Sequence, residues 1–266
     1  MSTSNLPPVV LINGTWTYPG AWDEMQAALE ARGHVVHAPA LRYHDLPVME
    51  GARKVATVSL QDYADDFVEL IEGLDQPPII IGWSLGGLIA QLVAQRVEHK
   101  ALMLLSPAPA AGMFSLYPTM LKMFYHHFMQ WGFWKRPVYP VWDDFRSIVC
   151  NKQTEETAIE MFDMLKADSG KAYTEMVFWF LDSKKASKVT PERIKTPVLV
   201  IAGTDDLIVR TPIGRATAAR FAQGKFVEFW GMDHVLARGD GLARSMEVFD
   251  AWVEEKGIVD KQTADK

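Results

Sequence analysis

Ser84 has the residue type and the setting of a catalytic nucleophile. It lies in Gly82-Trp83-Ser84-Leu85-Gly86, a G-x-S-x-G pattern between the apolar run 79–81 and an amphipathic pattern that begins at residue 85. The run predicts a buried strand and the second pattern predicts a helix, so the serine would lie on a sharp strand-to-helix turn. Glycines relieve crowding in such a turn, and the helix directs backbone N–H groups at the reacting centre. The alternative is a glycine-rich turn whose serine has no chemical role.

His234 is the histidine best placed to act as the base. A serine hydroxyl needs a base that removes its proton, and histidine titrates in the appropriate range. Catalytic groups of an open parallel sheet collect at the carboxyl ends of its strands, and His234 follows the last predicted strand by four residues. The other histidines lie within or before strands, in an irregular loop, or on a helix where a solvated face is the simpler interpretation: His34, His37, His44, His99, His126 and His127.

The orienting acid has three candidates. A carboxylate is needed to fix the tautomer of the base and to stabilise its charged form. Asp205 and Asp206 follow the predicted strand 197–203, whereas residues 107–112, after the strand 101–106, contain no acid. Asp233 is also available, but a sequence neighbour rarely reaches the far ring nitrogen of a histidine. The residues alone favour the Asp205–Asp206 pair without choosing between its members.

Composition excludes several classes of function. The 266 residues are enough for one large domain, or for a domain with an insertion, and the net charge of −6 argues against a nucleic-acid partner. The apolar runs are too short for a membrane span, and the first eight residues lack the pattern of a secretion signal. We therefore expect a cytoplasmic protein without stable membrane insertion. Cys150 is the only cysteine, which excludes an internal disulfide, and we interpret it as a structural thiol.

Strands alternate with helices through most of the chain. Strands are predicted at 8–13, 34–38, 79–81, 101–106, 197–203 and 225–230, and helices at 20–32, 59–74, from 85, at 211–221 and at 238–255. Residues 39–58 are expected to be irregular and residues 260–266 to be a disordered tail. The alternation predicts an α/β fold with a mostly parallel central sheet of about six strands, covered by helices on both faces.

The alternation stops at residue 107 and resumes at residue 196. The stretch between has helical patterns, no convincing strand and many methionine, phenylalanine and tryptophan residues. It predicts a helical cap, 107–195, inserted into a core formed by 1–106 and 196–266. A second small core is the simpler interpretation, but the excess of apolar side chains favours an apolar pocket that faces the serine. The expected substrate contacts are Phe124, Phe128 and Trp131 from the cap, with Trp16 and Trp83 from the core.

The chain resembles the α/β-hydrolase fold superfamily over nearly its whole length. The stretch 82–87, Gly-Trp-Ser-Leu-Gly-Gly, is similar to the family's nucleophile elbow. The stretch 203–206 resembles the G-x-x-D acid loop, and 231–234 resembles the G-x-x-H loop. The resemblance therefore implies a triad of Ser84, Asp206 and His234 in the family order, and the cap matches the usual family insertion.

The resemblance also implies an oxyanion hole, which needs two N–H donors aimed at the developing charge. One donor is the residue after the nucleophile, Leu85. The other comes from the loop after the first strand, where relatives usually read His-Gly-x and this chain reads Asn13-Gly14-Thr15-Trp16. Alignment selects the Thr15 N–H, with Trp16 as the alternative. Asn13 departs from the family pattern, although an asparagine can hydrogen-bond in place of the histidine that braces this loop.

The expected function is hydrolysis of a carboxylic ester, a class that includes lactones and thioesters, through an acyl-enzyme on Ser84. Apolar cap residues predict a small to medium hydrophobic substrate, and the triad needs no metal or organic cofactor. Serine at the elbow, rather than aspartate, argues against a haloalkane dehalogenase or an epoxide hydrolase. The alternatives are a hydrolase of carbon–carbon bonds or a hydroxynitrile-lyase-like relative, which use the same triad, and a catalytically silent ligand-binding relative.

Overall fold

A computed structural model describes residues 6–114 and 117–259 of the chain. Its strands are β1 Val9–Ile12, β2 Val36–His37, β3 Ile79–Trp83, β4 Ala101–Leu105, β5 Pro137–Val138, β6 Asp168–Ser169, β7 Val198–Gly203 and β8 Gly224–Phe229. Six of these strands form one sheet in the order β2-β1-β3-β4-β7-β8, and all neighbours in it are parallel. The predicted α/β class and the parallel central sheet are therefore confirmed.

Helices cover both faces of this sheet. Their bounds are α1 Asp23–Glu30, α2 Val48–Val55, α3 Leu60–Glu72, α4 Leu85–Ala94, α5 Pro118–Phe128, α6 Trp142–Asp144, α7 Glu155–Asp163, α8 Gly170–Val177, α9 Thr211–Ala219 and α10 Gly239–Glu255. Helix α3 begins where the sequence predicts, because Ser59 accepts a hydrogen bond from the Asp62 N–H while the Asp62 carboxylate accepts one from the Ser59 N–H.

The sheet separates two layers of the hydrophobic core. Side chains alternate between the faces of a strand, so Val9, Leu11, Ile79 and Ile81 pack on the face that α1 and α10 cover. Val10, Ile12 and Ile80 point the other way and pack among the side chains of α3 and α4. Every residue of β1, β3, β4 and β7 is buried, as expected of parallel strands with helices on both sides.

The structure differs from the prediction in two segments. Residues 39–58, expected to be irregular, contain α2. Its glycine obscures the helical pattern but is required by packing, because a Cβ on Gly51 would lie 2.6 Å from the Tyr43 carbonyl oxygen. The stretch expected to lack strands contains β5 and β6, which pair antiparallel over only two residues each. Strands of two residues are too short to show the alternation of apolar and polar residues by which a strand is recognised in a sequence.

The elements from α5 to α8 lie between β4 and β7 in the chain. Most of their large buried apolar side chains belong to the same core layer as the strand residues on the α1 and α10 face, including Met120, Phe124, Phe145 and Tyr173. The limits of the predicted cap at residues 107 and 195 remain a prediction. The expected tail at 260–266 lies outside the described residues.

Candidate active site

Ser84 lies on a tight turn between β3 and α4, in a strained backbone conformation. Its φ of 56° is in the left-handed region, which side chains other than glycine seldom adopt, and it is the N-cap residue of α4. A Cβ on Gly82 would overlap the Gly86 carbonyl oxygen, and one on Gly86 would overlap the Ile12 carbonyl oxygen. Both glycines of the G-x-S-x-G pattern are therefore required by close backbone contacts, and the turn presents Ser84 at the carboxyl edge of the sheet.

His234 and Asp206 form a direct hydrogen bond at the same edge. The His234 Nδ1 and the Asp206 Oδ2 are 2.7 Å apart, and both side chains are buried. The other oxygen of Asp206 accepts hydrogen bonds from the N–H groups of Ile208 and Val209, at 2.9 and 2.8 Å. The carboxylate is thus fixed by its own loop. In the neutral tautomer whose Nδ1–H donates to this carboxylate, Nε2 carries a lone pair that can accept a proton.

The two other acid candidates face the segment 151–153. Asp205 pairs with Lys152, its Oδ2 lying 2.7 Å from Nζ, and this cation lowers the pKa of Asp205. Asp233 accepts hydrogen bonds from the Lys152 N–H and the Gln153 amide, each at 2.9 Å. Neither contact involves the ring of His234. Among the three sequence candidates, Asp206 is therefore the one that the structure joins to the histidine.

The loop after β1 lies against the nucleophile. A Cβ on Gly14 would be 3.2 Å from the Ser84 Cβ, which is closer than most real side chains approach. The glycine therefore allows the loop to pack directly against the nucleophile. Thr15 and Leu85 line the same cavity as Ser84. The N–H of Trp16, the alternative donor, instead makes a 3.1 Å hydrogen bond to the Asp168 carboxylate. Asn13 braces the loop by donating to the Pro39 carbonyl oxygen at 3.3 Å.

A cavity of about 80 Å³ brings these residues together. Besides Ser84 and His234, its lining is largely apolar. Half of these residues come from the stretch between β4 and β7, including Met120, Met123, Phe124, Phe145, Val149, Met161, Leu165, Tyr173, Met176 and Val177. A single water needs about 10–15 Å³, so the cavity admits a ligand group of several non-hydrogen atoms. Methionines are adaptable side chains, and their number at this surface favours apolar ligands of varied shape.

The structure brings three of the five expected substrate contacts to this cavity. Trp16, Trp83 and Phe124 line it. Trp83 also donates from its indole N–H to the His234 carbonyl oxygen at 2.9 Å, so it braces the histidine loop. Phe128 is not part of the lining and packs behind Phe124, with ring centroids 5.9 Å apart. Trp131 is 87% exposed and lies away from the cavity. Phe128 is the last residue of α5, and Trp131 lies in the turn beyond it. Helical spacing in the sequence shows neither where a helix ends nor which of its faces meets the cavity.

Three polar side chains near the site were not identified from the sequence. Asp168 accepts from the Thr15 hydroxyl at 2.9 Å and from the Tyr63 hydroxyl at 2.9 Å, and Tyr173 donates to the Thr15 oxygen at 2.6 Å. Asp168 lies 153 residues from Thr15 in the chain. No local pattern marks these three residues, because only the packing of the stretch between β4 and β7 against the rest of the chain brings them together.

Three further features concern metal binding, membrane crossing and the reactivity of the cysteine. Within 6–114 and 117–259, no group of three or more histidine, cysteine or acidic side chains is arranged to hold a metal ion. No helix in those ranges is both long and apolar enough to cross a membrane. Cys150 is fully buried, and burial together with the nearby charge of Asp233 raises its pKa to about 12, so the thiol stays protonated and unreactive.

The arrangement as a whole can perform acyl transfer. A serine with a histidine at the same cavity wall, and an acid that orients the histidine, is the constellation that activates a hydroxyl as a nucleophile. Thr15 and Leu85 line the same cavity, so their N–H groups are candidates to bind the oxygen of a substrate carbonyl as it becomes negatively charged.

Comparison with known proteins gives one sequence relative over part of the chain. A pimeloyl-acyl-carrier-protein methyl ester esterase from Aromatoleum aromaticum is 33% identical over 107 residues. These residues are 40% of this chain and 39% of that protein, so the match spans about two fifths of either length.

Solved structures resemble the whole chain. An extracellular alpha/beta-hydrolase from a Paenibacillus species matches with a TM-score of 0.70 and 20% identity, over 92% of this chain and 98% of that one. A methylesterase from Arabidopsis matches with a TM-score of 0.67 and 13% identity, over 93% and 99%. At these identities the likeness concerns the fold. The model of the alpha/beta hydrolase family matches residues 9–244. The chain therefore belongs to the alpha/beta hydrolase family.

Proposed function

We propose that this protein is a serine hydrolase that cleaves a carboxylic ester of a small to medium hydrophobic substrate. The observation that carries the proposal is the 2.7 Å hydrogen bond between His234 and Asp206 at the cavity that Ser84 also lines. Membership of a family with esterase-like relatives is consistent with it.

In the proposed mechanism, His234 removes the proton of Ser84 as its oxygen attacks the acyl carbon. The carbonyl oxygen becomes negatively charged and accepts hydrogen bonds from the N–H groups of Leu85 and Thr15. Asp206 stabilises the charged ring, which then gives its proton to the departing alcohol. Water enters, loses a proton to His234 and attacks the acyl-enzyme, releasing the acid and restoring the serine. Each removed proton returns to a leaving oxygen, so no cofactor is required.

The proposed substrate class follows from the lining of the cavity. Its walls are largely aliphatic, aromatic and methionine side chains, which favour an uncharged acyl group. A methyl ester deserves an early test, because the relative that is 33% identical over 107 residues is named for one. The cytoplasmic location expected from the sequence also remains a proposal, which fractionation of the native cells would test.

A fluorophosphonate probe tests the nucleophile directly. It forms a covalent bond with an activated serine, and we expect one adduct per wild-type chain in intact-mass spectra and none on Ser84→Ala. The same Ser84→Ala protein should lose nitrophenyl-ester and methyl-ester hydrolysis by about 10⁴-fold or more.

Ser106→Ala is the matched control. Ser106 is a buried serine at the carboxyl end of the neighbouring strand, and it does not line the cavity. Its variant should still take up the probe. An unlabelled wild-type protein, or equal labelling of Ser84→Ala and wild type, would rule out the proposed nucleophile.

A further inference from the structure

The loop that carries Thr15 is held in a conformation that it would not adopt by itself. Trp16 has a φ of 60°, in the left-handed region that a bulky aromatic residue rarely occupies. The residue before it, Thr15, borders the cavity beside the nucleophile. Strained backbone of this kind persists only where the surrounding structure imposes it, so the contacts of this loop identify what sets its shape.

The hydrogen bonds of Thr15 and Trp16 come from the stretch between β4 and β7. The Lys166 N–H donates to the Trp16 carbonyl oxygen at 2.7 Å, and the Trp16 indole N–H donates to the Val138 carbonyl oxygen at 3.0 Å. The Trp16 N–H and the Thr15 hydroxyl both donate to the Oδ2 of Asp168, at 3.1 and 2.9 Å. Val138 and Asp168 are paired residues of β5 and β6, so this small sheet faces the loop as one unit.

Asp168 is the centre of this network. Its side chain is fully buried, and its Oδ1 accepts from the Tyr63 hydroxyl at 2.9 Å and from the Ser169 N–H at 2.6 Å. Four donors thus converge on the two oxygens of this side chain, which serve as acceptors. Burial, and next the charge of Asp168, raise the pKa of Tyr63 and of Tyr173, so both phenols keep the protons that they donate.

We infer that Asp168 is a positioning residue for the loop 13–16 after β1, here called the oxyanion loop. By binding the Trp16 N–H and the Thr15 hydroxyl together, it fixes the peptide between them and leaves the Thr15 N–H as the donor for the substrate oxygen. The inference rests on the proposed function and adds a requirement to it: an acid of β6, far from the triad in sequence, is needed for full acceleration of the chemical step.

Asp168→Asn tests the inference. The amide has nearly the same size as the carboxylate, but an NH₂ donor replaces one of the two acceptor oxygens. That NH₂ group would face another donor, so the loop should lose its alignment. Complete removal of one oxyanion donor typically slows turnover about 10²–10³-fold. We expect misalignment to lower kcat on a nitrophenyl ester by about 10–100-fold with little change in KM, and to slow fluorophosphonate labelling by a similar factor.

Glu175→Gln is the matched control for folding effects. Glu175 is another buried carboxylate of the same stretch, and it accepts from the Leu60 N–H at 2.8 Å. It has no hydrogen bond with the oxyanion loop among the described residues. Its variant should keep the wild-type kcat even if its melting temperature falls, whereas Asp168→Asn should lose kcat at temperatures where circular dichroism shows it folded.

A pair of threonine variants decides the matter if Asp168→Asn does not fold. Thr15→Val keeps the backbone N–H but loses the hydroxyl bond to Asp168, and it should show the same loss of kcat, while Thr15→Ser should restore most of it. Combining Asp168→Asn with Thr15→Val should add little further loss, because both break one link. A wild-type kcat in Asp168→Asn or in Thr15→Val would overturn the inference. The proposed function would still stand in that case, provided that the wild-type protein is active and labelled by the probe. An inert wild type would overturn both.

Discussion

At the scale of single residues, adjacent side chains divide the work at this site. Asp206 faces inward, accepts from His234 and is fully buried, whereas Asp205 faces the segment 151–153 and pairs with Lys152. The difference arises because consecutive residues of a loop point in different directions, so only one can reach the histidine ring. Asp233 is likewise directed away, toward the backbone of Lys152.

Asp206→Asn should therefore be far more damaging than the change next to it. An amide at this position no longer fixes the tautomer of His234 or stabilises its charge, and the equivalent change in a serine protease lowers kcat by about 10⁴-fold. We expect a loss of about 10³–10⁴-fold in kcat on a nitrophenyl ester. Asp205→Asn, the control, removes a solvent-exposed ion pair and should stay within about twofold of wild type. Equal losses in the two variants would contradict the assignment.

At the scale of secondary structure, the turn from β3 to α4 depends on the absence of side chains at two positions. Gly82 and Gly86 approach each other, and Gly86 also approaches β1. The closeness of these backbones allows Ser84 to take its positive φ and places the first turn of α4 beside the loop of Thr15. The two glycines thus allow β1, β3 and α4 to pack closely enough to hold the nucleophile in this position.

Gly82→Ala should consequently disrupt the fold as well as the activity. Its methyl group would overlap the Gly86 carbonyl oxygen and would meet the Ala90 Cβ at 2.7 Å, and neither group can move without shifting α4. We expect a destabilisation of at least about 3 kcal/mol in urea unfolding, at the upper end of overpacking effects.

Gly73→Ala is the control for this prediction, because Gly73 has a φ of −84° and its added methyl would make an ordinary 3.4 Å contact. That variant should be unchanged or stabilised by up to about 1 kcal/mol. Similar unfolding midpoints for the two variants would show that the turn relaxes more easily than the contacts indicate.

At the scale of the whole molecule, buried acids link the stretch between β4 and β7 to the rest of the chain. Asp168 binds the loop after β1, Asp233 binds the backbone of Lys152, and Glu175 of α8 binds the N-terminal N–H of α3. These links attach the stretch that supplies about half of the cavity lining to the rest of the chain. We expect that stretch to move little relative to the central sheet.

Glu175 makes the stability of this assembly dependent on pH. Burial raises its pKa from 4.5 to about 7 in the folded protein. Between these values the folded protein holds a proton that the unfolded chain releases, so stability falls as pH rises from about 4.5 to about 7. One pKa unit corresponds to about 1.4 kcal/mol, and we expect a loss of up to about 3 kcal/mol across this window.

Urea unfolding of wild type and Glu175→Gln at several pH values measures this contribution. The glutamine cannot titrate, so the difference in free energy of unfolding between the two proteins should change with pH in the stated direction. Parallel pH profiles would mean that Glu175 has an ordinary pKa in the folded state.

The sequence predicted most of the sheet, because strands buried on both faces require continuous apolar runs such as 79–81 and 101–105. It also indicated Ser84, His234 and the pair of aspartates after β7, since tight turns need glycines and strand ends converge at one edge. It was wrong about residues 39–58, where a mid-helix glycine that packing requires disguises α2.

Tertiary structure alone decided how these pieces meet. It placed Trp131 on the surface and brought Asp168 to Thr15 across 153 residues. It also joined His234 to Asp206, the acid that the family resemblance already implied, through a direct hydrogen bond. The physical reason is that the spacing of apolar residues in the sequence shows which side of a single strand or helix is buried, and this is enough to predict a parallel sheet. The contacts between the stretch from β4 to β7 and the loop of Thr15 depend on how elements that are distant in the chain pack together, and the local sequence does not encode that packing.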